Sequence, residues 1–483
     1  MVKDGILEAW VPSSRVWVSR MNTVVQGNSG ADGEIDGTPD GKRPVSLFSA
    51  TVLVIANMVG TGVFTSLGLQ VANVPSGFSL LLLWAVGGLM ALLGALSYGE
   101  LGAMMPRSGG EYTYLSRIYH PAVGFLSGWV SFVAGFAAPV ALTAIALSQY
   151  LGDALPWVNK TAVSVSVVVA LSVVHMIDVR FGCYFQNFFT VAKVLMILAL
   201  IAAGCLVSNP QEIALVPSRT DLGLIFSPAF AVSLVYVSYA YSGWNASAYI
   251  AGEIRQPEKR LPLSLLVGTL GVSFLYVMLN FIFLRTVPIS ELRGKIEVGY
   301  LSADHIWGSD GSRLMAVLIS LALVSTISSM VMTGPRVVQT MGEDIAPLRL
   351  LARRNRRGAP AFAILFQSLI SILLIMTSSF DVVLTYVGFT LSLFASMTVL
   401  GVFVLRIRNP QAKRPFRAWG YPATPALFLI LNGCMQCYLI LNRPLPSLVG
   451  LATVGCGWLL FRFFAPGGRA RERDESKPPG NRS

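Results

Sequence analysis

Charge is what this chain has least of. Of its 483 residues only 12% are Asp, Glu, Lys or Arg, about half the share of an average soluble domain. A deficit that deep excludes a set of ordinary soluble enzyme or nucleic-acid-binding domains. Histidine is scarce too: His120, His175 and His305 lie far apart, so no cluster with metal-ligand spacing exists and neither a metal nor a cofactor is expected. The five cysteines (Cys183, Cys205, Cys434, Cys437 and Cys456) are odd in number and sit in or beside apolar runs, which argues against a disulfide scaffold. Cys434-Met-Gln-Cys437 has redox-motif spacing, but no histidine lies near it, and its cysteines are expected to pack as small buried hydrophobes. Gly41-Lys42-Arg43 lacks both the hydroxyl residue and the glycine spacing of a phosphate-binding loop. Nucleotide-driven pumping is set aside.

Apolar length is what the chain does have. Hydrophobic residues make up 54% of it, and the mean hydropathy is +0.64. Runs of roughly 20 apolar residues suffice to cross a hydrocarbon core of about 30 Å. Twelve such windows are predicted, at 45–72, 76–105, 121–152, 160–178, 184–208, 226–252, 262–285, 312–340, 359–378, 381–406, 422–442 and 447–465. The short alternating strands of an outer-membrane barrel are missing, so the expected class is an all-α polytopic membrane protein. The formal charge of +12 reads as topology. With the N-terminus inside, 28 of the 36 Lys and Arg residues fall on the inner side, seven fall outside, and Lys193 alone lies within a span. Positive residues stay cytoplasmic, so both ends are expected there, in a multi-pass protein of the plasma (inner) membrane without nucleic-acid partners. Residues 1–44 are polar and read as a disordered tail, with Met21 a second plausible start; 466–483 read as another tail. The membrane domain is expected over 45–465.

Two windows are interrupted. The first carries Asn57-Met-Val59-Gly60-Thr61-Gly62 at mid-membrane depth, and the sixth carries Tyr239-Ala240-Tyr241-Ser242-Gly243-Trp244-Asn245. In hydrocarbon every backbone N–H and C=O needs a partner, so unwound chain persists only where it lines a cavity or is buried in protein. Half-helix N-termini at such a point suit a carboxylate, and half-helix C-termini suit a cation. Glycines also let helices approach closely, so packing is the competing reading of either break alone. Two breaks five spans apart favour a binding site between inverted halves, 45–208 and 226–406, with 422–465 outside the repeat.

These residues resemble a known family. Gly60-Thr61-Gly62-Val-Phe64 is similar to the glycine-rich break of the amino acid–polyamine–organocation superfamily. So are Tyr98-Gly-Glu100-Leu-Gly, Pro106-Arg-Ser-Gly-Gly-Glu111-Tyr112, Gln186-Asn187 to Lys193, Gly243-Trp244-Asn245, Thr333-Gly-Pro335-Arg336 and Arg414-Pro-Phe-Arg417 to Pro422. The set, in order across the chain, most resembles the L-type amino acid transporter branch. The resemblance implies a twelve-helix, leucine-transporter-type fold with a 5+5 inverted repeat and discontinuous helices 1 and 6. It implies an α-amino acid held between the breaks, its carboxylate at Val59 to Gly62 and above all at Thr61 and Gly62. Carbonyls around Tyr239, Ala240, Tyr241 and Ser242 would take the ammonium, with Tyr239 as an aromatic gate, and Gly243 and Asn245 as lining. Ser242 stands where relatives often carry glycine or aspartate, and Thr61 where many carry serine. The outer loop at 153–159 has no cysteine, which implies a solitary subunit without a covalent heavy-chain partner. Lys193 would bridge the first break to span 8 near Ser325 or Ser328, where sodium-driven relatives hold a cation, making transport sodium-independent.

Other residues invite plainer readings. Glu100 and Glu111 are expected to form ion pairs with Arg107 or Arg336 at the inner loops, and Asp178 and Arg180 to be interfacial. Ser325, Ser328 and Ser329 share one helical face and either pack or line the site. Trp129 and Trp419 read as interface anchors. A channel would need a selectivity ring, and an enzyme a catalytic constellation; neither is found. The expected activity is secondary transport of neutral L-amino acids, by exchange or proton symport. Cationic amino acids or polyamines are the alternative, disfavoured because spans 1, 3, 6 and 8 carry no carboxylate at depth.

Overall fold

The computed structural model describes residues 43, 45–155, 157–177, 179–355 and 358–464. The tail expected at 466–483, and all of that at 1–44 except Arg43, lie outside this range, as does Asp178. The described chain is helical, and its only β feature is a bridge between Val45 and Ile254. Broken first is the run α1 (Leu47–Met58) and α2 (Thr61–Thr65), followed by α3 (Gly77–Met104), the short α4 (Glu111–Ile118) and α5 (Ala138–Ala154). Then come α6 (Lys160–Ile177), α7 (Val179–Cys205), α8 (Pro228–Ala240) and α9 (Pro257–Thr286). The last five are α10 (Val298–Asp344), α11 (Ala361–Thr377), α12 (Phe380–Arg408), α13 (Ala423–Asn442) and α14 (Pro444–Phe464). Residues Pro121–Val130 lead into α5 through a π-helical stretch, Ser131–Ala137.

Each predicted window contains a helix, but length alone does not give twelve crossings. Among the described residues ten helices are long and apolar enough, and an eleventh counts if Arg219–Ile225 and Pro228–Ala240, bent by 66°, form one span. α11 is shorter. The sixth window falls short because its helix ends at Ala240, where the predicted break begins.

The helices start where local chemistry caps them. Ser46 accepts the Ser49 N–H at 3.1 Å to open α1, and Ser227 with Pro228 at the first position opens α8. Within the spans, hydroxyls bond back to carbonyls four residues earlier, as Thr51 to Leu47 and Ser97 to Leu93. That is how this chain carries polar residues through hydrocarbon. α3 packs along α9, α10 along α5 and α6 along α11, while α12 meets α13 and α14. On α13 the buried stripe is Phe428, Asn432, Met435 and Leu439. Cys434 and Cys437 face the other way and are exposed, so they are not the buried packing residues expected; on a stripe spaced i, i+4, i+7 they fall between the inward positions.

The expected carboxylate pairings are redistributed. Glu100, 1% exposed, accepts a fork from Arg406 at 2.9 and 2.7 Å and the Ala418 N–H at 2.7 Å, with Arg414 at 3.4 Å. It ties α3 to the end of α12 and to the following loop. Arg107 instead pairs with Asp344 at 2.9 Å, and Arg336 with Glu253 at 3.6 Å. Trp129 is more than an anchor: its indole N–H donates to the Thr453 carbonyl on α14 at 3.0 Å, whereas Trp419 is 65% exposed. Glu100→Ala would strand two arginines and a backbone N–H. The expected cost is on the order of 3 kcal/mol, read as a clearly lowered melting temperature of the purified protein.

Candidate functional site

Ending a helix inside the membrane leaves carbonyls without partners, and the first break supplies partners for most of them. The Val59 N–H still closes on Ile55 O at 2.8 Å. Beyond it, Tyr276 OH from α9 donates to Met58 O at 2.5 Å. Lys193 from α7, 2% exposed, sends its ammonium to Val59 O at 2.9 Å, Ala56 O at 3.4 Å and Thr326 Oγ1 at 3.2 Å. Those are three acceptors for the three donors a lysine owns. The partner on α10 is therefore Thr326, and neither Ser325 nor Ser328 fills the expected role. One residue along a helix is a 100° rotation, so the serine face turns away. Ser328 Oγ meets His175 Nε2 at 2.8 Å, and the buried Ser325 and Ser329 hydroxyls have no hydrogen-bond partner.

The second break packs onto the first. After α8 the chain runs through turns at Tyr241 to Asn245, with the Ser242 N–H on Tyr239 O at 2.9 Å and the Ala246 N–H on Gly243 O at 2.9 Å. Gly243 sits at φ +95°, a left-handed conformation open chiefly to glycine, and a Cβ there would approach the Asn57 carbonyl to 2.8 Å. A Cβ on Gly62 would stand 2.3 Å from Ala240 Cα. The two breaks touch at these glycines, so close packing is one role they perform. Thr61 Oγ1 and Tyr239 OH hydrogen-bond at 3.0 Å. Tyr241 OH reaches Trp84 O at 3.0 Å, and its ring leans on Trp84 and Tyr276.

Beside the second break lies a cavity of about 100 Å³. Of the residues expected to bind substrate, Tyr239, Tyr241, Ser242, Gly243 and Asn245 line it, and Val59, Gly60, Thr61, Gly62 and Ala240 do not. Sequence reasoning missed Glu111, which also lines the cavity. It is 4% exposed, and its Oε1 accepts from Tyr98 OH at 2.6 Å and Asn245 Nδ2 at 3.1 Å. The signal that could have found it is the pair of glycines before it: Gly109 and Gly110 both have positive φ and swing the start of α4 inward. Among the described residues no Lys, Arg or His lines the cavity, and no cluster of metal-ligating side chains occurs.

Burial pushes the Glu111 carboxyl up from 4.5 to about 7, against the downward pull of its bonds from Tyr98 and Asn245. Unfolded chain loses this proton near the ordinary value and folded chain keeps it to about 7, so between them the native state binds more protons. Stability must then fall as pH rises through that window and level off above it. The melting temperature of the wild type is expected to drop between pH 5 and 8, and Glu111→Gln to flatten the drop. Gly62→Val is expected to lower the melting temperature by several degrees at any pH, because the added carbons meet backbone.

Residues 45–460 match the family model described as amino acid permease. The b(0,+)-type amino acid transporter 1 of Mus musculus is 27% identical over 391 residues, covering 78% of this chain and 78% of that protein. Large neutral amino acids transporter small subunit 2 of Homo sapiens is 26% identical over 449 residues, covering 88% and 82%. These relatives are transporters and not enzymes. With its long apolar helices and a family match that spans nearly the whole membrane domain, this chain belongs to the amino acid permease family.

Proposed function

We propose that the protein carries L-amino acids with neutral side chains across the plasma membrane by alternating access, without sodium, as an exchanger or a proton-coupled symporter. The observation that carries this reading is the Lys193 ammonium, set between the carbonyls of the first break and Thr326. A fixed positive charge there stands where the resemblance puts a cation in sodium-driven relatives, and removes the need for one. The substrate carboxylate would take the N–H groups of Gly60 to Gly62 and the Thr61 hydroxyl, displacing Tyr239 OH, whose ring would close over the ligand; the Val59 N–H is already held by Ile55 O. The ammonium would take carbonyls from Tyr239 to Ser242, and the side chain would enter the cavity lined by Gly243 and Asn245. The reading includes a twelve-span, 5+5 architecture, which is supported by the packing of α3 on α9, α10 on α5, and α6 on α11 as counterpart pairs. The proposed topology keeps both ends cytoplasmic, and a loop at 153–159 without cysteine supports a solitary subunit.

One observation favours the alternative of cationic substrates. Glu111 puts a carboxylate on the cavity wall with no basic side chain beside it, which reasoning from the spans alone had excluded.

Lys193→Ala removes three donors from buried acceptors, each costing roughly 1–3 kcal/mol when unsatisfied. Uptake of labelled amino acid into proteoliposomes is expected to be unchanged by replacing sodium with choline in the wild type. It should fall by roughly tenfold or more in Lys193→Ala, one such loss being worth about a factor of ten. Sodium-dependent uptake, or near-normal uptake in the variant, overturns this coupling.

A further inference from the structure

Part of the cavity lining, its arm, comes from outside the two breaks. Its walls come from Met90 and Ala91 on α3, Leu391 and Ser392 on α12, and Phe428 and Asn432 on α13. α13 lies outside the proposed repeated halves and packs against α8, α3 and α12. Trp244 joins the arm to the second break. A Cβ on Gly94 would touch Trp244 Cη2 at 2.7 Å and Phe428 Cε2 at 3.1 Å, so the indole and the phenyl ring converge on one point of α3.

Apart from Ser392 and Asn432 these walls are apolar, and Ser392 is already engaged: its hydroxyl donates to Gly388 O and accepts from Gln436 Nε2 at 2.8 Å. Asn432 is different. It is 2% exposed, its Nδ2 donates to Ser392 O at 3.4 Å, and its Oδ1 has no hydrogen-bond partner. The amide cannot gain by turning over, since that would set Oδ1 against the Ser392 carbonyl oxygen. One turn on, Gln436 repeats the arrangement: Nε2 donates to Phe389 O at 2.9 Å while Oε1 has no partner. Gln436 does not line the cavity; Asn432 does.

A leucine at 432 would hold α13 to α12 as well and orphan nothing. A buried amide kept within a membrane span at the cost of an unpaired acceptor marks a functional position. Asn432 lines the cavity and carries an Oδ1 that is unpaired and closed off from water, and such an oxygen is complementary to a ligand that brings an N–H or O–H. Together with Glu111, and with no basic side chain on the lining, the cavity offers acceptors and repels acidic groups.

Resting on the amino acid transport proposed above, we infer that Asn432 is a specificity-determining residue that receives the substrate side chain, selecting amino acids whose side chains end in a hydrogen-bond donor. The shared chemistry is that donor, borne by a neutral amide or by a cationic ammonium or guanidinium. Leucine, without a donor, and glutamate, with acceptors and a like charge to Glu111, are the disfavoured classes.

The test is uptake by purified wild type, Asn432→Leu, Asn432→Ser and Asn432→Asp in proteoliposomes, with half-saturation measured for glutamine, lysine, leucine and glutamate. In wild type, glutamine or lysine should be preferred and glutamate should be the weakest. Preference for glutamine shows that the neutral amide is selected, and preference for lysine the cation. Asn432→Leu should weaken the preferred donor substrate relative to leucine by roughly fivefold to tenfold, the worth of one hydrogen bond. Asn432→Asp should move the lysine-to-glutamine ratio toward lysine. If Asn432→Leu does not fold, judged by its melting curve, Asn432→Ser and Asn432→Asp decide by the same ratios. An Asn432 that only joins two helices would slow all four substrates alike and leave every ratio unmoved, which overturns the inference while transport stands. A wild type that moves none of the four overturns the transport reading itself.

Discussion

Three hydrogen bonds from one ammonium hold the centre of this protein together. A helix that stops within a membrane leaves carbonyls that water cannot reach, and unpaired they would cost more than the helix end could bear. Lys193 answers two of them, Ala56 O and Val59 O, and uses its third donor on Thr326 of α10. Tyr276 answers a third, Met58 O. The break in the first span is thus a joint bolted to α7, α9 and α10 by side chains whose donors are all occupied. Everything near it follows. Gly62 and Gly243 can lie against Ala240 and Asn57 only because the break stays open at a fixed width.

The second break relies on shape more than on charge. Its turns close on their own backbone, and an aromatic group of Trp84, Tyr241 and Tyr276 walls it on one side. On the other side Trp244 stands on Tyr98 with ring centroids 4.6 Å apart, and Tyr98 and Asn245 both donate to Glu111. Short unwound chain, aromatic walls and a single carboxylate are what surround the cavity. The outer frame is anchored separately: Glu100 fixes the loop after α12, and Asp221, ahead of α8, accepts Ser79 Oγ at 2.7 Å from α3. Such ties at both ends of α3 leave the breaks between them as the places where the chain has least regular structure.

Most of the scaffold was legible because membrane solvent writes in a large alphabet. A run such as 121–152 or 381–406 admits no reading but a long helix, and Gly60-Thr61-Gly62 and Ser242-Gly243 in such runs admit few but a break. Lys193 was equally plain, an ammonium in a stretch with nothing else charged. What stayed hidden depends on rotation and on chain reversals. Ser325 and Thr326 differ by one position, and only the packed helix tells which faces α7. Glu111 lies outside every span in the sequence, yet two positive-φ glycines carry it to the cavity. Glu100 finds Arg406 across some three hundred residues, beyond any periodicity. Cys434 and Cys437 show the opposite error, since apolar company in sequence did not mean burial in the fold.

The central claim is that the two breaks jointly hold the amino and carboxyl groups of an amino acid, with the side chain directed into the cavity beyond Tyr241. A density map of the purified protein in lipid nanodiscs, recorded with and without saturating amino acid, addresses it directly. The account predicts ligand density between Val59–Gly62 and Tyr239–Gly243, with the Tyr239 hydroxyl parted from Thr61 and Lys193 still on Val59 O. Density at any other position, or a bound amino acid that leaves the Thr61–Tyr239 contact intact, would contradict it.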